Sequence, residues 1–178
     1  MTALSAFVIT ATVLLGQTEA EQSALPDNIV KELECFVGNW TVEGDVLGMD
    51  LKGRWNAKWS PRKHCLLISY PLNLDGERVF GNGIMGWDTE KEELLILMFY
   101  SNGVHENVRY TVESPGLFKG VFAGSADGEP FKATCEMRTN QSNEWTFQTK
   151  GHTVGGKSEG ELTVRFTRST DTPKGKNM

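Results

Sequence analysis

The stretch Leu51-Lys-Gly-Arg-Trp-Asn-Ala-Lys-Trp59 alternates apolar or small residues with polar ones along its whole length. Leu51, Trp55 and Trp59 share one parity, whereas Lys52 and Lys58 belong to the other. Because successive side chains of a β-strand point to opposite faces of the sheet, this rhythm predicts a strand with one buried and one hydrated face. The buried face carries two tryptophans, so it would contribute aromatic rings to the core.

The two-residue period continues through most of the chain after residue 39. Short segments rich in Gly, Pro, Asn and Asp separate the periodic runs, and such short links force neighbouring strands to be antiparallel, because parallel pairing needs a crossover of about a dozen residues. The runs predict strands near 39–47, 50–59, 63–71, 77–87, 92–100, 104–113, 117–124, 129–139, 143–152 and 158–168.

A meander of this length exposes two sheet edges unless the sheet closes on itself. The prolines, among them Pro71 and Pro130, are expected at strand ends or turns, where a missing N–H does not interrupt a ladder. Ahead of the strands, Asp27 is a candidate N-cap for a short amphipathic helix that ends at Gly38. The predicted fold is all-β, a closed antiparallel up-and-down β-barrel of about ten strands with a short N-terminal helix.

The segment Gly81-Asn-Gly-Ile-Met-Gly86 has the glycine spacing of a dinucleotide-binding loop. That motif has physical meaning only between a strand and the helix that faces a pyrophosphate. Here Trp87 and Asp88 lead to a turn and to another strand pattern, so the glycines are interpreted as bends or close approaches within a strand.

Composition divides the chain into a leader and one domain. Residues 1–20 contain an uncharged run, Ala3 to Gly16, followed by a polar stretch that ends at Thr18-Glu19-Ala20, which resembles a secretory signal peptide with its cleavage site. The run is shorter than the about 20 residues that span a bilayer. We therefore expect a signal peptide at 1–20, a linker at 21–28, a barrel domain at 29–168 and a flexible tail at 169–178. The protein is expected to be secreted or periplasmic, without a membrane span.

The net charge of −5 and the absence of a basic block argue against a nucleic-acid partner. Cys35, Cys65 and Cys135 are interpreted as small buried residues, with one disulfide at most. Neither composition nor spacing defines an oligomeric state.

The residues Gly38-Asn39-Trp40 follow the predicted helix and begin the first strand. They resemble the Gly-x-Trp signature of lipocalin-like barrels, in which the tryptophan packs across one end. The segments Phe36–Gly44, Gly81–Asp88 and Glu161–Arg168 together resemble a bacterial lipocalin-like family described as a domain of unknown function. This resemblance spans most of residues 30–168 and implies a barrel with an internal cavity.

The architecture is also distantly similar to nitrobindin, a barrel that holds haem through a histidine near its last strand. Here the last predicted strand, Glu161–Arg168, has no histidine, and His152 is the nearest substitute. No cofactor is therefore expected, with haem on His152 or His64 as an alternative.

Strand parity selects the candidate binding residues. Inward aromatic and apolar side chains favour a small hydrophobic ligand, and His64 and Glu106 share the inward parity of their strands; for Glu106 an outward position at a bulge stays open. The candidates are Trp55, Trp59, His64, Glu106, Tyr110, Phe131, Met137, Trp145 and Phe147.

The first hypothesis is an exported barrel that binds a hydrophobic small molecule. The second is a calycin-type isomerase, hydratase or cyclase that acts on an apolar substrate, with Glu106 or His64 as general base. No nucleophile elbow, acid-base carboxylate pair or metal-ligand spacing supports catalysis, so a binding role is favoured.

Overall fold

A computed structural model describes residues 25–140 and 143–169. One helix precedes a run of antiparallel strands joined by short turns. The elements are α1 (Asp27–Glu34), β1 (Gly38–Val46), β2 (Met49–Trp59), β3 (Cys65–Leu74), β4 (Glu77–Asp88), β5 (Glu93–Tyr100), β6 (His105–Ser114), β7 (Leu117–Ala126), β8 (Glu129–Thr139), β9 (Glu144–Val154), β10 (Lys157–Ser158) and β11 (Leu162–Arg168).

The sheet closes into a barrel. Strands β1 to β9 follow one another as antiparallel neighbours, β11 pairs with both β9 and β1, and this pairing completes a ring of ten strands. The two-residue strand β10 pairs only with β9 among the described residues. The predicted closed antiparallel barrel with a short N-terminal helix is confirmed.

One proline departs from its expected position. Pro71 lies within β3, whereas Pro130 is the second residue of β8, at the strand end as expected. Pro71 pairs with Phe80 of β4, whereas the β2–β3 ladder skips the positions opposite Arg54 and Trp55. Because proline has no N–H to donate, the ladder is interrupted at that point while both strands continue in the same register.

The last predicted strand, 158–168, is divided by an irregularity in its partner. Gly151 in β9 has a φ of +63°, and the β8–β9 register shifts between Lys132 and Thr134. The buried Thr149 hydroxyl accepts a hydrogen bond of 2.9 Å from the Leu162 N–H, in place of a backbone carbonyl. An extra residue in β9 therefore separates β10 from β11.

One end of the barrel is closed by α1. Helix residues Ile29 and Leu33 are buried, and Pro26, not the expected Asp27, occupies the N-cap position, because its extended ψ of 139° lies outside the helix. Beyond the helix, Phe36 is fully buried and contacts the rings of Phe118 and Trp145. The end near α1 is called the closed end below.

The Gly-x-Trp segment belongs to this closed end. The Trp40 indole N–H donates to the Phe36 carbonyl at 2.9 Å, and the Arg168 guanidinium lies 4.2 Å from the Trp40 ring. Gly38 has a φ of +116°, and a Cβ there would lie 2.9 Å from Arg168 Nη1. The positive φ and the close approach of Arg168 together explain why a glycine occupies position 38.

The glycines of residues 81–86 lie in β4, and the next element is strand β5. A Cβ on Gly81 would lie 2.7 Å from the Tyr100 ring, and one on Gly83 would overlap the Leu97 carbonyl. These glycines allow close packing against β5, as interpreted from the sequence, and the nucleotide-loop context is absent.

The predicted signal peptide at 1–20 lies outside the described residues, as do residues 21–24 of the linker and all but Ser169 of the tail. Within residues 25–140 and 143–169, no helix has the length and apolar character needed to cross a bilayer. All three cysteines are free thiols.

Candidate functional site

A cavity of 260 Å³ occupies the barrel interior on the side away from α1. Its walls are mostly aliphatic and aromatic side chains from the inward faces of the strands. Leu47, Asn102 and Val104 lie at turns on its far side, which is called the mouth below. Because an engineered apolar cavity of about 150 Å³ holds benzene, this space suits a larger molecule than a single ring.

Aromatic rings form the floor of the cavity. Trp145 and Phe166 stack with ring centroids 3.3 Å apart and planes 8° from parallel, and Trp55 meets both edge-on at 5.5 and 5.7 Å. On its other side Trp145 contacts Phe36 and Trp40, which belong to the closed end. The floor is therefore held rigidly from below.

Glu106 lies on the cavity wall near the mouth. It is half-buried, and its Oε2 accepts a hydrogen bond of 2.9 Å from the Tyr100 hydroxyl. Burial raises the pKa of Glu106 from 4.5 to about 7, although the Tyr100 hydrogen bond opposes that rise. Of the two orientations that the sequence left open for Glu106, the inward one is correct. Its carboxyl group is more easily protonated here than it would be in water.

Tyrosines connect Glu106 with the floor. The Tyr100 ring lies 6.4 Å from that of Tyr70, which in turn contacts Trp55 at 5.6 Å and Phe166 at 6.2 Å between centroids. Burial raises the pKa of both hydroxyls, so they remain protonated donors near neutral pH. The wall thus offers phenol groups beside a single carboxyl.

Seven of the predicted binding residues line this cavity, and ligand contact at each stays a prediction. They are Trp55, Glu106, Tyr110, Phe131, Met137, Trp145 and Phe147.

Two predicted binding residues do not reach the cavity. Trp59 has the inward parity but stands at the closed end of β2, where its indole N–H donates to Glu34 at 2.8 Å. His64 is exposed, because residues 61–63 form a 3-10 turn and β3 begins only at Cys65. The inward assignment of His64 was wrong because the predicted strand began too early.

The sequence prediction missed His152 as a cavity residue. Simple alternation with Trp145, Phe147 and Thr149 would point it outward, but the extra residue at Gly151 reverses the parity. His152 is buried, lies beside Phe122 and Phe131, and burial lowers its pKa. A glycine inside a strand pattern was the available signal for this bulge.

Several buried polar atoms beside the cavity have no hydrogen-bond partner within the described part of the chain. They are the indole nitrogens of Trp55 and Trp145 and Nδ1 of His152. A buried donor or acceptor without a partner costs about 1–3 kcal/mol. Such groups are uncommon in a core that serves only stability.

The described residues contain no cluster of three or more His, Cys, Asp or Glu side chains able to hold a metal ion. The cavity wall supplies one carboxyl and one imidazole, and these belong to separate strands, β6 and β9.

No protein-family model and no curated protein matches the sequence. Among solved structures, the chain is similar to a redesigned β-barrel, mFAP0, bound to DFHBI, with 17% identity and a TM-score of 0.44, over 75% of this chain and 99% of the other. It is also similar to a second redesigned barrel, mFAP1, bound to DFHBI, with 14% identity and a TM-score of 0.38, over 78% and 99% of the two chains.

Proposed function

We propose that this protein binds an apolar, ring-containing small molecule inside its barrel. The observation that carries the proposal is the 260 Å³ cavity, whose floor is a rigid group of aromatic rings and whose mouth carries the Glu106–Tyr100 pair. Apolar walls with a few fixed polar groups are typical of small-molecule sites. Packing provides affinity, and the polar pair orients the guest.

Cellular context belongs to the same proposal. The uncharged segment within residues 1–20 supports export to the periplasm or the cell exterior, and the motifs at residues 36–44, 81–88 and 161–168 support membership of the bacterial lipocalin-like family of unknown function. The negative charge speaks against a nucleic-acid partner. N-terminal sequencing of the mature protein tests the export.

Fluorescence titration with the neutral dye N-phenyl-1-naphthylamine tests binding. Val108 is buried on the cavity wall, so Val108→Phe places a ring in the space a guest would occupy. Val121 is 39% exposed on the outer face, so Val121→Phe adds the same ring outside. Saturable uptake by the wild type and Val121→Phe, but not by a folded Val108→Phe, is expected; no uptake by the wild type, or equal uptake by all three, contradicts the proposal.

Haem is tested in the same series. His152 is the imidazole that faces the cavity in the described chain and would be the axial ligand. A haemin titration that yields no Soret band sensitive to His152→Ala removes this alternative.

A second candidate function is acid-base catalysis on an apolar substrate. Glu106 favours it, because a carboxyl group with a pKa near 7 is suited to proton transfer at neutral pH. Glu106→Gln should then bind a neutral substrate with unchanged affinity and abolish its turnover. Turnover that survives this substitution contradicts a catalytic role for Glu106.

A further inference from the structure

The charged groups around the cavity are mostly negative. Glu106 is the one carboxyl among the described residues that line the cavity, and this lining contains no Lys or Arg. Tyr100 is the hydrogen-bond donor to its Oε2, and no donor within residues 25–140 and 143–169 meets Oε1. One carboxylate oxygen is therefore open to a guest.

Acidic side chains also outnumber basic ones around the rim of the mouth. Its turns lie at residues 47–48, 75–76, 101–104, 127–128 and 155–156. Within two residues of these turns, and besides Glu106, the chain has six acidic and two basic side chains. The acidic residues are Asp45, Asp50, Asp75, Glu77, Asp127 and Glu129, and the basic ones are Arg78 and Lys157.

We infer that the guest is an apolar, ring-containing amine whose ammonium group pairs with Glu106 at the mouth while its rings rest on the floor. This inference rests on the proposed function and narrows it to one ligand class. An ammonium supplies both the positive charge and the N–H donors that a half-buried carboxylate lacks. The faces of Tyr70 and Tyr100 beside it also attract a cation.

The same charges disfavour the opposite class of ligand. A fatty acid or aromatic carboxylate would bring a second negative charge toward Glu106 in a site of low polarity and past an acidic rim. A neutral guest gains the apolar contacts of the walls but leaves Oε1 without an ionic partner. Binding strength should therefore follow the order amine, neutral molecule, carboxylate.

Binding of an amine should release protons near pH 7. Other titratable groups face the cavity from neighbouring strands: Tyr70 on β3, Tyr100 on β5, Tyr110 on β6 and His152 on β9. Burial raises the pKa of the three tyrosines and lowers that of His152, so all four stay neutral at this pH. Protons released on binding would therefore come from Glu106, which the ammonium holds ionised.

Isothermal titration calorimetry with three matched probes tests the inference: 1-naphthylmethylamine, 1-naphthylmethanol and 1-naphthoate. The wild type should bind the amine about tenfold to a hundredfold more tightly than the alcohol, as expected for a charged hydrogen bond, and the carboxylate most weakly. Titrations in buffers of different ionisation enthalpy should show proton release with the amine alone. Glu106→Gln should remove the preference, and Glu113→Gln, exposed at the other end of β6, should retain it.

Each outcome distinguishes the two proposals. If the alcohol binds as tightly as the amine, or if Glu106→Gln keeps the amine preference, the amine inference is overturned and the binding function stands. If none of the three naphthalene probes binds and the neutral dye does not bind either, the binding function itself fails. If Glu106→Gln does not fold, the wild type alone tests the inference. Proton release on binding the amine but not the alcohol supports it, and equal or absent proton release with both overturns it.

Discussion

The closed end of the barrel and its mouth use the same inward alternation of side chains but reach different results. At the closed end, α1 and the fully buried Phe36 fill the space between strands, and Trp40 contacts Trp145. Toward the mouth, strand residues of the same parity surround 260 Å³ of space. The difference teaches that alternation builds a wall, whereas an additional element decides whether the interior is filled.

The two regions also differ in how completely their charged side chains are hydrogen-bonded. Arg168 at the closed end donates to the backbone carbonyls of Val37 and Cys35, at 3.0 and 3.3 Å, and covers Trp40. Glu106 at the mouth meets only a tyrosine hydroxyl in the described chain. The first arrangement is complete and stabilises the fold, and the second leaves room for a partner.

The largest effect is expected at the closed end. Phe36→Ala should lower the free energy of unfolding by about 3–5 kcal/mol, because it removes a fully buried ring from a packed cluster. Val104→Ala, at the half-buried mouth, should cost clearly less. Urea denaturation of both variants checks this comparison, and equal losses would show that the two ends are packed alike.

The next effect concerns Glu106 and pH. Its pKa is raised from 4.5 to about 7, so the folded state binds the proton more tightly than the unfolded state does. The contribution of this group is therefore fully present below pH 4.5 and falls as pH rises toward 7, with about 3 kcal/mol lost at higher pH. Between pH 4.5 and 7, the free energy of unfolding of Glu106→Gln, measured by urea denaturation, should rise relative to that of the wild type. If the two proteins show the same pH dependence, the carboxyl group of Glu106 does not have a raised pKa.

A smaller loss is expected for Arg168→Lys. Lysine cannot reproduce the planar donor set that meets two carbonyls while stacking on Trp40, so about 1–3 kcal/mol of unfolding free energy should disappear. Arg138→Lys, whose exposed side chain bonds Glu136, is the matched control and should change stability by less than about 0.5 kcal/mol. Thermal denaturation compares the pair, and equivalence of the two variants would remove the structural role of Arg168.

The smallest effect tests the bulge that turns His152 inward. Gly151→Ala should cost about 1 kcal/mol, because alanine resists the left-handed conformation at φ +63° although no atom obstructs its Cβ. Gly160→Ala, where no such conformation is required, should be nearly neutral. Denaturant midpoints measure both, and a neutral Gly151→Ala would indicate that β9 is regular.

The parts of the molecule that the sequence predicted correctly are those with a regular alternation of apolar and polar residues. Alternation over Leu51–Trp59 and similar runs predicted every long strand and the inward position of Trp55, Tyr110 and Trp145, because parity is a local property. His64 was wrongly assigned to the inward face because its position depends on where β3 begins, and His152 was missed as a cavity residue because its direction depends on a single bulge residue. Parity errors of one residue reverse a side chain completely.

The hydrogen bond between Tyr100 and Glu106 illustrates the other limit. Tyr100 ends a continuous apolar run, Leu94–Tyr100, in which both strand faces carry apolar side chains, so sequence alone did not distinguish its inward side. Cavity volume likewise depends on how wall residues from many strands meet in space. These quantities come from non-local packing, and no short motif encodes them.

Diffraction from a crystal held under xenon gas tests the central claim most directly, because xenon enters apolar cavities and is visible by its electron density. We expect xenon between the floor at Trp55 and Phe166 and the mouth at Glu106, and none among the rings of Phe36 and Trp40. An interior in which wall side chains meet and leave no xenon site would contradict the account.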